Sequence, residues 1–241
     1  VSGLWLAIDT ATDHASVAAG EPPRTVASAT VSGTRRHAAE IVPAIEQVLG
    51  RLDARPDALA GIVVADGPGS FTGLRIGWAA AKGLAQQRET PLRAVPALLA
   101  AAAGGAAHAG GGPALACFDA LRGQIFAAQY AFEDETVRAI VPPILTTMAE
   151  LARVAARPRV IVGDAALRYV DGVPEWTGIP RLGLEAIAPG AESLLRLVLV
   201  ADASREIDAA AEPVYGRLAE AQVRWEAAHG RALPDPSGHD R

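Results

Sequence analysis

Short apolar runs broken by turn residues alternate with stretches of helical period along this chain. Residues 4–8, Leu-Trp-Leu-Ala-Ile, stop at Asp9-Thr10-Ala11-Thr12-Asp13, and residues 14–19 resume with alternating small side chains. The pattern predicts a hairpin with a polar tip, and residues 24–31 supply a third strand. Residues 35–52 follow a helical period, with Ile41, Ile45, Val48 or Leu49, and Leu52 on one stripe and Pro43 loosening the middle. A buried strand is expected at residues 61–65, a helix at 74–87 and a further strand at 92–95.

The second half repeats this theme. Residues 104–113, Gly-Gly-Ala-Ala-His-Ala-Gly-Gly-Gly-Pro, are the clearest change in composition and read as a linker. Beyond it, an apolar run at 115–118 ends at Asp119, a turn spans 120–123, and strands are expected at 125–132 and 137–141. Strand, acid, turn, strand, strand therefore occurs twice, with Asp9 and Asp119 in equivalent places. The expected organisation is a first subdomain at 1–103, a linker at 104–113, a second subdomain at 114–212, and a C-terminal part at 213–241. The second subdomain continues with a helix at 148–155, a strand at 160–162 and a helix at 192–203, which can pack back on the first subdomain. The C-terminal part is expected to hold a short helix at 218–228 and a disordered tail at 234–241.

Composition narrows the possible roles. The chain has 241 residues, half of them hydrophobic, which is enough for a substantial core. Its net charge of −5, with no basic run longer than Arg35-Arg36-His37, argues against strong stand-alone binding to nucleic acid. A single cysteine, Cys117, forbids an internal disulfide and reads as a buried structural thiol in a strand. A cytoplasmic, unexported protein is expected, with no membrane span.

The most informative stretch is residues 65–77, Ala-Asp-Gly-Pro-Gly-Ser-Phe-Thr-Gly-Leu-Arg-Ile-Gly. It reads as strand, glycine loop and helix, with Ser70 or Thr72 able to cap the helix. Backbone N–H groups at such a helix start can hold an anion. Both standard phosphate fingerprints fail, however, since Gly73-Leu74-Arg75 replaces the Gly-Lys-Ser/Thr of a P-loop and Thr72 falls where a third glycine is needed. The helix behind the loop confines its polar positions to a row of Arg75, Ala79, Lys82 and Gln86, which predicts burial on more than one side. Gly77 and Gly83 each cost a helix roughly 1 kcal/mol relative to alanine. Gly73 and Gly77 suit a close helix crossing, made either by the chain's own core or by a partner protein.

No catalytic constellation is legible. The five histidines include no pair at metal-ligand spacing, and Ser70 lacks the setting of a nucleophile elbow. Asp9 and Asp119 either bind a metal-nucleotide between two subdomains, as in a small-molecule kinase, or make turn hydrogen bonds at strand ends.

With Asp9-Thr10, the Gly67–Gly77 stretch, Ala81-Lys82-Gly83-Leu84-Ala85, Phe118-Asp119-Ala120-x-x-Gly123-x-Ile125 and Pro213-x-Tyr215-x-Arg217 in this order, the chain resembles the TsaB (YeaZ) family over nearly its whole length. The resemblance implies an α/β chain with the actin-like, Hsp70-like ATPase (ASKHA) fold: two related subdomains, each a mixed sheet flanked by helices. It implies a non-catalytic dimerisation subunit for the synthesis of N6-threonylcarbamoyladenosine in tRNA. Such a subunit pairs with the related catalytic subunit TsaD, works with the ATPase TsaE and with TsaC, forms homodimers when alone, and meets tRNA only through the complex. Pairing in the family uses the first two helices, which here points to His37, Ile41, Ile45, Gly73, Gly77, Ala80, Ala81 and Leu84. The metal-binding histidines of the catalytic subunit correspond to Ala97 and Ala101, so no metal site is expected there. The weak candidates for nucleotide contact are Asp9, Thr10 and Asp119, but Ala11 replaces the glycine of the actin-like phosphate loop; ATP or ADP is expected only at the level of the complex.

Overall fold

In a computed structural model, the apolar run at the N-terminus forms β1 (Trp5–Asp9), which turns at the polar tip into β2 (His14–Gly20) and then β3 (Ala27–Ser32). The structure describes residues 2–33, 37–86, 88–133, 136–169, 173–208 and 210–217, with His37 as backbone only. The expected helix at 218–228 and the tail at 234–241 lie outside the described residues.

The two α/β halves share one strand order. In the first sheet β3, β2 and β1 run antiparallel, and β1 continues in parallel into β4 (Gly61–Ala65) and β5 (Leu92–Val95). In the second, β8 (Thr136–Thr146), β7 (Ile125–Glu133) and β6 (Ala114–Asp119) run antiparallel, and β6 continues in parallel into β9 (Val160–Val162) and β10 (Arg181–Leu182). This repetition is the structural form of the internal echo, and it is the actin-like arrangement of two mixed sheets. A short β11 (Arg205–Glu206), which the sequence pattern did not reveal, closes the free edge of β5.

The strands β1, β2, β4 and β5 each serve two cores because their side chains alternate between faces. Leu6 and Ile8 of β1 join the core under α1 (His37–Gly50) and α2 (Phe71–Gln86), whereas Trp5 and Ala7 face a core shared with the second sheet. That shared core holds α3 (Ala97–His108), packed on β6, β7 and β9, and α6 (Gly190–Leu197), packed on β1, β2 and β4. The two helices also pack on each other. The helices α4 (Met148–Val154) and α5 (Asp164–Tyr169) carry the third core with the outer face of the second sheet.

The expected linker at 104–113 needs correction, because α3 runs through its first five residues. Glycine stands at 104 and 105 because a side chain would be crowded there: a Cβ on Gly105 would stand 2.8 Å from the Val162 side chain, and one on Gly104 3.0 Å from Ile187. Only 109–113 remains a loop, with Gly110, Gly111 and Gly112 all at positive φ. An alanine-rich helix with two glycines looks weak in isolation, yet it fits between two sheets where bulkier residues would overpack. Among the described residues, no helix is long and apolar enough to cross a membrane.

Candidate functional site

Four aspartates stand at the ends of the central parallel strands, Asp9 at the end of β1, Asp66 after β4, Asp119 at the end of β6 and Asp164 after β9. The places match in the two halves, and Asp9 and Asp119 are the pair that the sequence offered for a metal-nucleotide or for turn hydrogen bonds. Three of them are engaged within the chain. Asp66 is buried and takes a bidentate pair from Arg205, at 2.7 and 2.8 Å. Asp119 pairs with Arg168 at 2.5 Å and accepts the Leu121 N–H and the Tyr169 hydroxyl. Asp164 accepts the N–H groups of Asp119 and Ala165, and burial raises its pKa above the usual carboxylate value.

Asp9 is different. Its Oδ1 accepts the Ala11 N–H at 3.0 Å, but burial dominates and pushes its pKa from 3.8 up to about 6. It lines a cavity of about 190 Å³ beneath the α6 N-terminus. Asp119 does not line that cavity, so the two acids singled out by the sequence do not converge on it. Thr10 turns away from the cavity, towards α2.

The glycines of the loop and helix find their neighbours inside the chain. A Cβ on Gly69 would collide with Ala11 O, on Gly73 with Thr10 O, and on Gly77 with Thr10 Oγ1. The crossing that Gly73 and Gly77 admit is thus the β1–β2 turn, not a second helix. Gly67, at φ +98°, is approached by Val214 O, which belongs to a segment that straps the two halves. In that strap the Tyr215 ring stacks on Phe71 at 4.4 Å and its hydroxyl accepts from Arg75 Nε at 3.1 Å, while Arg217 donates to Ala120 O beyond β6. Ser70 caps α2 by accepting the Gly73 N–H, which is why the helix begins at Phe71 and not at Leu74. Cys117 is fully buried, and burial drives its thiol pKa far upward, away from nucleophilic use.

A second feature lies on the opposite side of the first sheet. Between α1 and α2 an apolar groove of about 470 Å³ is lined by Val42, Leu49, Ala79, Ala80, Gly83 and Leu84, with Ile45 at its floor. Val42 is 52% exposed, and a Cβ on Gly83 would have nothing within 4 Å. Of the residues expected at a partner surface, Ala80 and Leu84 line this groove. Ile41 and Ala81 are buried in the chain's own core, Ile45 is buried but reaches the floor, and Gly73 and Gly77 face Thr10. The side chain of His37 lies outside the described residues. The helical cost of Gly83 was the sequence signal for the groove; Val42 and Ala79 carried none.

Comparison with known proteins decides the family. The chain is 30% identical to the tRNA threonylcarbamoyladenosine biosynthesis protein TsaB of Bacillus subtilis, over 91% of this chain and 96% of that one. The chain belongs to the TsaB family. The TsaB protein of Escherichia coli is also 30% identical, over 94% of this chain and 98% of its own length. A family model described as TsaD: tRNA N6-adenosine threonylcarbamoyltransferase matches residues 26–174. Among solved structures, an uncharacterised Pseudomonas aeruginosa protein with similarity to the peptidase YEAZ superposes with a TM-score of 0.73 at 26% identity, covering 89% of this chain and all of that one. YeaZ from Pseudomonas aeruginosa gives 0.68 at 26% identity, covering 80% and 89%. In this TsaB-family chain, Ala97 and Ala101 are buried in α3, so apolar core fills the place that the resemblance assigns to metal-binding histidines of the catalytic relative. Among the described residues, no three His, Cys, Asp or Glu side chains cluster as metal ligands.

Proposed function

We propose that this chain is a non-catalytic pairing subunit of the machinery that makes threonylcarbamoyladenosine in tRNA. It docks on TsaD through the α1–α2 groove, acts together with TsaE and TsaC, and meets tRNA only in the assembled complex. The observation that carries this reading is a contrast. Three of the four strand-end acids are spent on Arg205, Arg168 and backbone N–H groups, while the groove leaves apolar surface without a covering element among the described residues. An exposed apolar groove beside a glycine with open space suits helix-against-helix docking, because nothing must be displaced for a partner backbone to come close. Any nucleotide in the system belongs to the complex and not to this chain alone.

Size-exclusion chromatography of the purified chain mixed with TsaD tests the proposal. Co-elution as one complex is expected, and two separate peaks at micromolar concentrations would refute it. Calorimetric titration with Mg-ATP adds a second criterion: this reading expects no tight binding by the isolated chain, and tight binding abolished by Asp9→Ala would overturn it in favour of a kinase.

A further inference from the structure

The cavity beside Asp9 has a chemistry that pairing does not use. Strand register sets Asp9 opposite Ser16 and Ser16 opposite Thr30, with His14 opposite Ser32 nearer the hairpin tip. These residues share one face of β1, β2 and β3, so a polar row crosses the sheet beside an apolar pair, Ala7 opposite Ala18. The facing wall is the stretch before α6, including Glu185 and Ile187, together with Gly190 at the helix start.

Two hydrogen-bonding atoms of this row are left open. Asp9 is nine-tenths buried, and its Oδ2 accepts no hydrogen bond from any described residue; it lies against Gly190, where a Cβ would collide with it. Ser16 is buried, and its Oγ accepts the Ala191 N–H at 3.0 Å, leaving its own proton without an acceptor among the described residues. No lysine or arginine lines the cavity, and Glu185 adds a second carboxylate, 3.8 Å from His14 Nε2.

We propose that this cavity binds a small amino alcohol, its primary ammonium donating to Asp9 Oδ2 and its hydroxyl accepting from Ser16. The volume, about 190 Å³, is below the ~300–1,000 Å³ of pockets that enclose drug-sized ligands, and phosphates would find no cation there. A cationic ligand answers the desolvation of Asp9, because a buried carboxylate is tolerated when it is paired and hydrogen-bonded. The titratable groups facing Asp9 are His14 from β2 and Glu185 from the stretch before α6. Asp66 after β4 is held by Arg205, and Glu192 on α6 accepts from Ser28.

NMR of the full-length chain titrated with ethanolamine tests this, with glycerol and acetate as neutral and anionic controls. Ethanolamine should shift the Asp9 carboxyl and the Ser16 and Gly190 amide signals saturably, and lower the Asp9 titration midpoint from about 6. Asp9→Asn, which keeps the shape and the acceptor for Ala11, should weaken binding at least about tenfold with the amide spectrum otherwise preserved. Absence of a saturable shift, equal shifts with acetate, or unchanged affinity in Asp9→Asn would overturn the proposal. Pairing with TsaD is a separate readout and does not depend on the outcome.

Discussion

Asp9→Asn provides a quantitative test of how the two halves enclose the first strand-end acid. The native carboxyl titrates near 6 and the unfolded one near 3.8. Below about pH 4 both forms hold the proton and Asp9 adds no pH dependence. Between these values the unfolded chain ionises while the native chain keeps its proton, so stability falls as pH rises, and above about pH 6 the loss is complete. Two pH units at about 1.4 kcal/mol each give about 3 kcal/mol lost by pH 7. Asparagine retains an oxygen for the Ala11 N–H but carries no charge. The variant should therefore match the parent near pH 4 and exceed it by up to about 3 kcal/mol at pH 7, with screening by cavity water reducing the gain. Urea denaturation at pH steps from 4 to 8 measures both curves. Parallel curves would refute the reasoning, since Asp9 would then be solvated in the native state.

Other substitutions probe the glycines, the strap and the thiol. Gly77→Ala should cost roughly 1–3 kcal/mol in thermal or urea unfolding, because its Cβ collides with Thr10 Oγ1. Gly83→Ala, with open space around its Cβ, should stabilise the isolated chain by up to about 1 kcal/mol in the same assay. Arg205→Met strips the buried Asp66 of its partner and should cost about 2–3 kcal/mol, with faster hydrogen exchange at the Val214 N–H that bonds to Asp66 O. Cys117 should resist a thiol reagent in the native state and react only at the rate of opening, because burial raises its pKa.

The sequence was most legible where period and punctuation agreed. The hairpin around Asp9, the strand at 61–65 and the echo at Asp119 were readable because apolar runs stop sharply at acids and glycines. The α3 helix was obscured for a physical reason: alanine and glycine give no amphipathic period when a helix is buried on all sides, so its end read as linker. The two-residue β11 is too short to leave a pattern, and the contact that accompanies its pairing with β5, Arg205 on Asp66, spans 139 positions. For the candidate site, the choice of α1 and α2 came from the family resemblance, and period alone could not say which face of α2 was free. Gly73 and Gly77 looked like a helix-crossing motif, but spacing does not reveal whether the crossing partner is the chain's own Thr10. Gly83, one turn and a half further on, had the same sequence signal and the opposite environment.

The α1–α2 groove as the pairing surface is best tested by the affinity for TsaD of Gly83→Trp against the parent chain. The indole would lie in the open groove over Ile45 and Leu49 without displacing them, so thermal stability should stay within about 1 kcal/mol of the parent. Calorimetric titration should show affinity for TsaD reduced at least about tenfold. Undiminished affinity in a folded Gly83→Trp variant would contradict the account, because the partner would then be docking elsewhere on the chain.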